Sequence, residues 1–207
     1  MPRRPASQTV HRQDVLLAAA AVFQERGYEG ATMADIARKV NLTPGSLYHH
    51  FPAGKRDLLL EVLNSGLDAV LARLDSILAQ RLPPTETLRR MIAAHVEAVT
   101  ANVPVGAAMV FEIRALMVLD DPARDAFLQR RDAFEGRYRQ VVDSGIRDGT
   151  FRPVDAGIFT KALLGAQNWV SVWYRPQGRL SGPEIAEQMA DVFLGALLIA
   201  PGVTGHY

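Results

Sequence analysis

The sequence predicts an all-α protein. Apolar residues recur at three- and four-residue spacings along most of the chain, no run alternates apolar and polar residues as a half-buried strand would, and proline and glycine fall between the periodic stretches. With 207 residues, 48% of them hydrophobic, and no cysteine, the chain can bury a sizeable core without disulfides. It offers neither thiolate metal ligands nor a cysteine nucleophile.

The elements follow in order. Residues 9–26 predict a helix with Val15, Leu16, Ala19, Ala20 and Phe23 on one face, stopped by Gly27. Between 31 and 51 the chain reads ATMADIARKVNLTPGSLYHHF, two short helical patterns joined by three residues, the spacing of a helix-turn-helix that reads DNA. Thr32 caps the first through its hydroxyl, with Asp35 three residues on as a variant capping box; Ile36, Ala37 and Val40 turn inward and Asn41 ends it. Thr43 caps the second, and Pro44 takes the first helical position, where its missing N–H costs nothing. Leu47 and Phe51 turn inward against Ile36, which leaves Pro44, Gly45, Tyr48 and His49 outward. Residues 1–56 hold eight Lys or Arg against four Asp or Glu, whereas the remainder holds fifteen against eighteen. The basic charge is concentrated on the reading head, with Arg3 and Arg4 as a basic arm.

The run Arg12, Val15, Leu16, Ala19, Phe23, Gly27, Tyr28, Thr32, Ile36, Ala37, Leu42, Gly45, Leu47, Tyr48, His50, Phe51, Lys55 and Leu58 resembles the TetR family of one-component bacterial transcription regulators. The resemblance implies a homodimeric, all-helical protein, repressing rather than activating, whose C-terminal domain binds a small molecule that releases the DNA. It places phosphate contacts on Thr32, Ser46, Tyr48, His50 and Lys55, beside the cap Thr43, while sequence choice falls to the outward Pro44, Gly45, Tyr48 and His49. Pro52-Ala53-Gly54 departs from the family's commonest form by one extra residue. The expected division is a DNA-binding domain over 1–54 and a ligand-binding and dimerisation domain over 55–207.

A helix over 55–81, with Leu59, Val62, Leu63, Leu67, Val70, Leu71, Leu74 and Leu78 inward, links the two domains, and Pro83-Pro84 ends the connection after it. Further helices are predicted at 85–102, 105–119, 122–148, 155–174 and 183–199, nine in all, with turns at 149–153 and 175–182. The helix over 155–174 is apolar nearly all round after Lys161, and the last behaves likewise from Met189, so each must be covered on two sides. Gly165, Ala166, Gly195 and Ala196 offer flat places for close helix approach. The pair reads as a dimer seam, a four-helix interface about a two-fold axis that suits a palindromic operator.

A finer resemblance, carried by Gly165, Asn168, Trp169, Trp173, Tyr174, Arg175, Pro176, Gly178, Leu180, Ser181, Glu184, Ile185 and Ala186, is to the branch of the family that regulates lipid and fatty-acid degradation. It implies acyl-CoA thioesters as effectors. Trp169 and Trp173, four apart on one face, read either as core or interface anchors or as ligand contacts. On the helix from Pro122, Phe127, Arg131, Phe134, Tyr138 and Val142 share a face, and Glu112 sits among Met109, Val110, Phe111 and Ile113. Two readings stand for these charges. One is an internal Glu112–Arg131 ion pair; the other has Arg131 meeting a ligand's carbonyl or phosphate in an apolar pocket, with Arg130, Arg137 or Arg139 nearer its mouth.

No phosphate-cradling glycine loop, HExxH or serine-centred elbow is present, and the adjacent His49-His50 diverge by about 100° on a helix, a poor arrangement for one metal. Catalysis, metal and cofactor are not expected. The most apolar stretch, 192–200, is far shorter than the roughly 20 residues of a bilayer span. The first residues lack the form of a signal peptide, so cytoplasmic residence without a membrane partner is expected. A DNA-binding protein without an effector, or one controlled by a partner protein, is the alternative that the sequence leaves open.

Overall fold

The computed structural model describes residues 11–111 and 122–198, and among them nine helices. They are α1 (Arg12–Gly30), α2 (Met33–Lys39), α3 (Pro44–His50), α4 (Lys55–Ala79), α5 (Pro84–Ala101), α6 (Val103–Phe111), α7 (Pro122–Arg147), α8 (Ala156–Trp173) and α9 (Gly182–Leu197). Of the helix predicted over 105–119, the part beyond Phe111 lies outside the described residues.

Helix ends fall where the sequence carries the chemistry for them. Gly27 adopts φ 67°, a conformation open to glycine, and there α1 kinks rather than stops, running on for one more turn to Gly30. Asn41 closes α2 with φ 55°, which its short polar side chain tolerates. Ser181 and Glu184 form a reciprocal capping box at the start of α9, and Asp155 caps α8 by accepting from the Ile158 amide.

α1 to α3 close on a small core in which Phe23, Ile36, Leu47 and Phe51 are buried together with Leu58 and Leu59 from the start of α4. Leu16, expected inward, is only partly buried, because α1 turns Ala18 and Val22 into that position. In the remainder of the chain α5 is central and packs against α4, α6, α7, α8 and α9. α6 bridges the two parts, lying against α1, α4, α5 and α8. The turn after α7 folds Phe151 onto Gly145, where a Cβ would come within 2.2 Å of the ring, and an isolated bridge joins Phe151 to Leu198.

A short polar chain crosses this apolar interior. Nδ1 of His95 on α5 stands 3.2 Å from Oε1 of Gln167 on α8, whose Nε2 donates to the Ile92 carbonyl at 3.1 Å. The Tyr138 hydroxyl of α7 donates to the Met91 carbonyl at 2.9 Å. Burial pushes the Tyr138 phenol up and lowers His95 to about 4, the carboxamides of Gln167 and Asn168 offsetting only part of the latter.

His95 is therefore neutral in the folded protein. As pH falls, the unfolded chain takes up its proton first, near 6.5, so the stability His95 confers is complete above that pH and is lost as pH falls towards about 4. Urea unfolding at pH 7.5 and pH 4.5 is expected to differ through this group by up to about 3 kcal/mol, and His95→Gln should flatten that part of the pH dependence.

Candidate nucleic-acid interface and ligand cavity

On α3 the sequence puts a proline at the first position and a single large apolar residue, Leu47, on the inner side. Leu47 is fully buried, whereas Thr43, Pro44, Gly45, Ser46, Tyr48, His49 and His50 are all exposed on the opposite side. The Thr43 hydroxyl accepts from the Ser46 amide at 3.2 Å and lies 2.9 Å from the Ser46 hydroxyl, which fixes the N-terminal turn. The Tyr48 ring lies over the turn at Gly54, where an added Cβ would be 3.3 Å from it.

One expected detail differs. Thr32 does cap α2, accepting from the Asp35 amide at 3.1 Å, but Asp35 takes the Thr32 hydroxyl at 2.7 Å instead of completing a box through the backbone. The reason is electrostatic: the Asp35 carboxylate is drawn between Arg26, at 2.8 Å, and Arg38, at 3.1 Å. The Thr32 hydroxyl, then the two guanidiniums, hold its carboxyl below the usual range. Lys55 donates to the carbonyls of Tyr28 at 2.6 Å and Glu29 at 3.2 Å, with its ammonium 4.6 Å from the centre of the Tyr28 ring. Carbonyls at the end of α1 lack helical partners and attract a cation, so Lys55 joins α4 to α1. Arg12 makes a second joint, donating to Glu61 at 2.9 Å while its guanidinium lies 4.6 Å from the Phe51 ring centre.

A cavity of about 420 Å³ lies among α4, α5, α6, α7 and α8, within the usual range for small-molecule sites. Leu67, Val70, Val99, Val105, Met109, Phe134 and Leu164 make its apolar wall; His95 and Asn168 are polar points in it, and Arg131, Glu135, Lys161 and Trp169 complete the lining. Of the residues singled out in sequence, Met109, Arg131, Phe134 and Trp169 line the cavity. Phe127 and Tyr138 do not. Both are buried behind the wall, Tyr138 edge-on to Phe134 with ring centres 5.4 Å apart.

Trp173 is also outside the cavity, in a shallow groove with Leu180, Ile185, Met189, Val192 and Phe193. It stands at the last position of α8, on the side turned to α9. Glu112 lies outside the described residues. Arg131 is 46% exposed, 3.7 Å from Asp132, and so is not sealed in the apolar stripe. Its long stem follows the wall while the guanidinium reaches water. Arg130 and Arg137 are drawn off to α4, the first to Asn64 and Asp68 and the second to Asp75 at 2.7 Å. Sequence reading missed Lys161, which donates to Glu135 at 2.8 Å, and His95. The signal for His95 is a lone histidine on the apolar face of α5 formed by Met91, Ile92, Val96 and Val99.

On the outer side of α8 and α9, Gly165, Gly195 and Ala196 are exposed and Ala166 is half-buried. Around them stand Ile158, Trp169, Trp173 and Val192, large apolar side chains about half or more exposed. Exposure of so many apolar groups on two neighbouring helices marks an interaction surface. Among the described residues no group of three His, Cys, Asp or Glu could hold a metal ion, and no helix is long and apolar enough to cross a membrane.

Comparison with known proteins accords with this anatomy. Residues 15–62 match the family described as bacterial regulatory proteins, tetR family, and residues 81–197 match the tetracyclin repressor-like C-terminal domain. The chain is 31% identical over 203 residues to the HTH-type transcriptional repressor KstR2 of Mycolicibacterium smegmatis, covering 97% of this chain and 96% of that one. The ketosteroid transcriptional regulator KstR2 of Mycobacterium tuberculosis superimposes with a TM-score of 0.84 at 30% identity, over 95% of this chain and 100% of that one. AibR, in complex with isovaleryl coenzyme A and operator DNA, does so with a TM-score of 0.72 at 28% identity, over 90% of this chain and 97% of that one. Relatives of this kind are regulators and not enzymes, and this chain, with its helix-turn-helix head and helical C-terminal domain, belongs to the TetR family of bacterial transcriptional regulators.

Proposed function

We propose that the protein is a dimeric repressor that holds a palindromic operator through α3 and leaves it when an apolar effector, an acyl-CoA thioester, fills the cavity. Residues 1–54 would read the DNA and residues 55–207 would sense and dimerise. The observation that carries this reading is the position of the cavity. Its wall includes Val105 and Met109 of α6, the helix that also packs on α1, and a Cβ at Gly66 of α4 would lie only 2.8 Å from Val105. A ligand that displaces α6 therefore has no slack to take up before α4 and α1 move, and with them the spacing of the two recognition helices, roughly 34 to 36 Å in a dimer on successive turns of DNA.

In this reading Pro44, Gly45, Tyr48 and His49 meet base edges, and Thr32, Thr43, Ser46, Tyr48 and His50 meet phosphates. Lys55 keeps one N–H beyond the two it gives to α1. The acyl class is supported by the apolar wall, by the isovaleryl coenzyme A of the AibR complex, and by size. The cavity holds an acyl group but not a nucleotide, so the CoA head would stay outside, beside Arg131 and Lys161.

The proposal is tested with a duplex selected by the protein from a random pool. In a fluorescence-anisotropy titration, medium-chain acyl-CoA should release the duplex and free CoA should not; retention of DNA with acyl chains of every length would overturn the effector class. Tyr48→Ala is expected to weaken binding at least about tenfold, with the fold unchanged by circular dichroism. The salt slope should also stay the same, because a phenol neutralises no phosphate. Gly195→Leu should shift the protein towards monomer in sedimentation, since among the described residues nothing lies within 4 Å of a Cβ at this position and the added side chain would stand in the space a partner takes.

A further inference from the structure

His95 is 6% exposed, and what remains of its surface faces the cavity. Its bonding fixes which nitrogen carries the proton. Gln167 donates through Nε2 to the Ile92 carbonyl, so the atom it turns to the ring is Oε1, which can only accept. Nδ1 must then be the protonated nitrogen, and in a neutral imidazole Nε2 is left as a lone-pair acceptor. Phe134 holds the ring edge-on, with centres 5.3 Å apart at 87°, and Tyr138 stands behind it at 6.4 Å. The ring cannot turn without breaking the Gln167 bond.

Nε2 makes no hydrogen bond among the described residues, yet it is not sealed in. The only sealed side-chain atom without a partner among them is Thr160 Oγ1. Nε2 therefore opens onto the cavity, an acceptor of fixed direction set in a wall of Leu67, Val70, Val99 and Leu164. Asn168 lines the cavity beside it, its carboxamide close enough to the ring to favour the charged form. A buried acceptor that loses water on ligand entry, and receives no proton donor in return, opposes binding.

We propose that His95 selects effectors carrying a hydroxyl on their apolar part: the alcohol donates to His95 Nε2 and accepts from the amide of Asn168. This rests on the cavity being the effector site. A saturated ligand strips the acceptor of water and gives nothing back, and a ketone sets one acceptor against another. The alcohol alone satisfies both side chains. Because His95 stays neutral far below pH 7, the acceptor is present under all physiological conditions.

Rigid probes of one shape test this without fixing where the natural effector carries its hydroxyl: 4-tert-butylcyclohexanol, 4-tert-butylcyclohexanone and tert-butylcyclohexane, titrated calorimetrically into the whole protein. The alcohol should bind at least about tenfold more tightly than either analogue. In His95→Phe the preference should vanish or reverse. Equal affinity for alcohol and ketone in the wild type, or a preference that survives in His95→Phe, overturns the role of His95 while leaving the cavity as the effector site. Binding of none of the three overturns that site and this proposal together. Should His95→Phe fail to fold, the imidazole nitrogen spectrum of the wild type decides: the Nε2 resonance must move on adding the alcohol and not the ketone, and no movement overturns the proposal.

Discussion

Burial of the apolar face of α5 is the constraint around which the C-terminal part of the molecule is arranged. Leu88, Met91, Ile92 and Val96 are completely shielded, and α4, α7, α8 and α9 supply the shield. Each such side chain withdrawn from water contributes roughly 1.5 to 3 kcal/mol, so the neighbours cannot separate far. Within this packing a polar group is tolerated only when partnered. His95 meets the condition at Nδ1, through Gln167, and leaves it open at Nε2, where the packing gives way to the cavity.

The reading head is joined to this assembly by a few specific contacts. Lys55 holds the carbonyl end of α1, Arg12 clamps Glu61 and Phe51, and α6 lies along α1. The first two are charged contacts near the surface, which change cheaply. The third is a packed helix whose far side is cavity wall. In the proposed function a change in the cavity would reach α1 through the stiffest of the three connections, and the charged joints would re-form around the new position. The Arg130 and Arg137 contacts to Asp68 and Asp75 do similar work along α4 and α7 on the opposite side.

The outer faces of α8 and α9 have a different character. Ile158, Trp169, Trp173 and Val192 remain exposed although the same helices bury Leu163, Val170, Ile185 and Leu194 inward. An apolar surface of this kind is costly in an isolated subunit. Trp169 and Gly165 stand on it and line the cavity as well. In the proposed function effector binding and assembly would share these residues, and sensing would be tied to the geometry of a pair of subunits.

By itself the sequence determined the all-helical class, the helix-turn-helix and, among the described residues, the helix boundaries to within a few residues. These depend on local chemistry: Thr32, Thr43 and Ser181 cap, Gly27 and Asn41 allow left-handed backbone, and apolar residues repeat at helical spacing. The outward set on α3 was legible for the same reason, since one short helix with a single buried leucine has only one way to face. The cavity was legible only in part. Phe127, Phe134 and Tyr138 share one stripe of α7, yet only Phe134 reaches the cavity, because that depends on how far α4, α5 and α8 stand from each turn. Trp173 is one turn beyond Trp169 and faces another groove. That Lys55 reaches back to α1 carbonyls was not legible in the motif, and Arg131, read either as an internal ion-pair partner or as a ligand contact, stands at the cavity rim. Periodicity specifies the direction in which a side chain leaves its own helix; what it meets there is decided by helices distant in the sequence, and only the tertiary structure set His95 of α5 against Gln167 and beside Asn168 of α8.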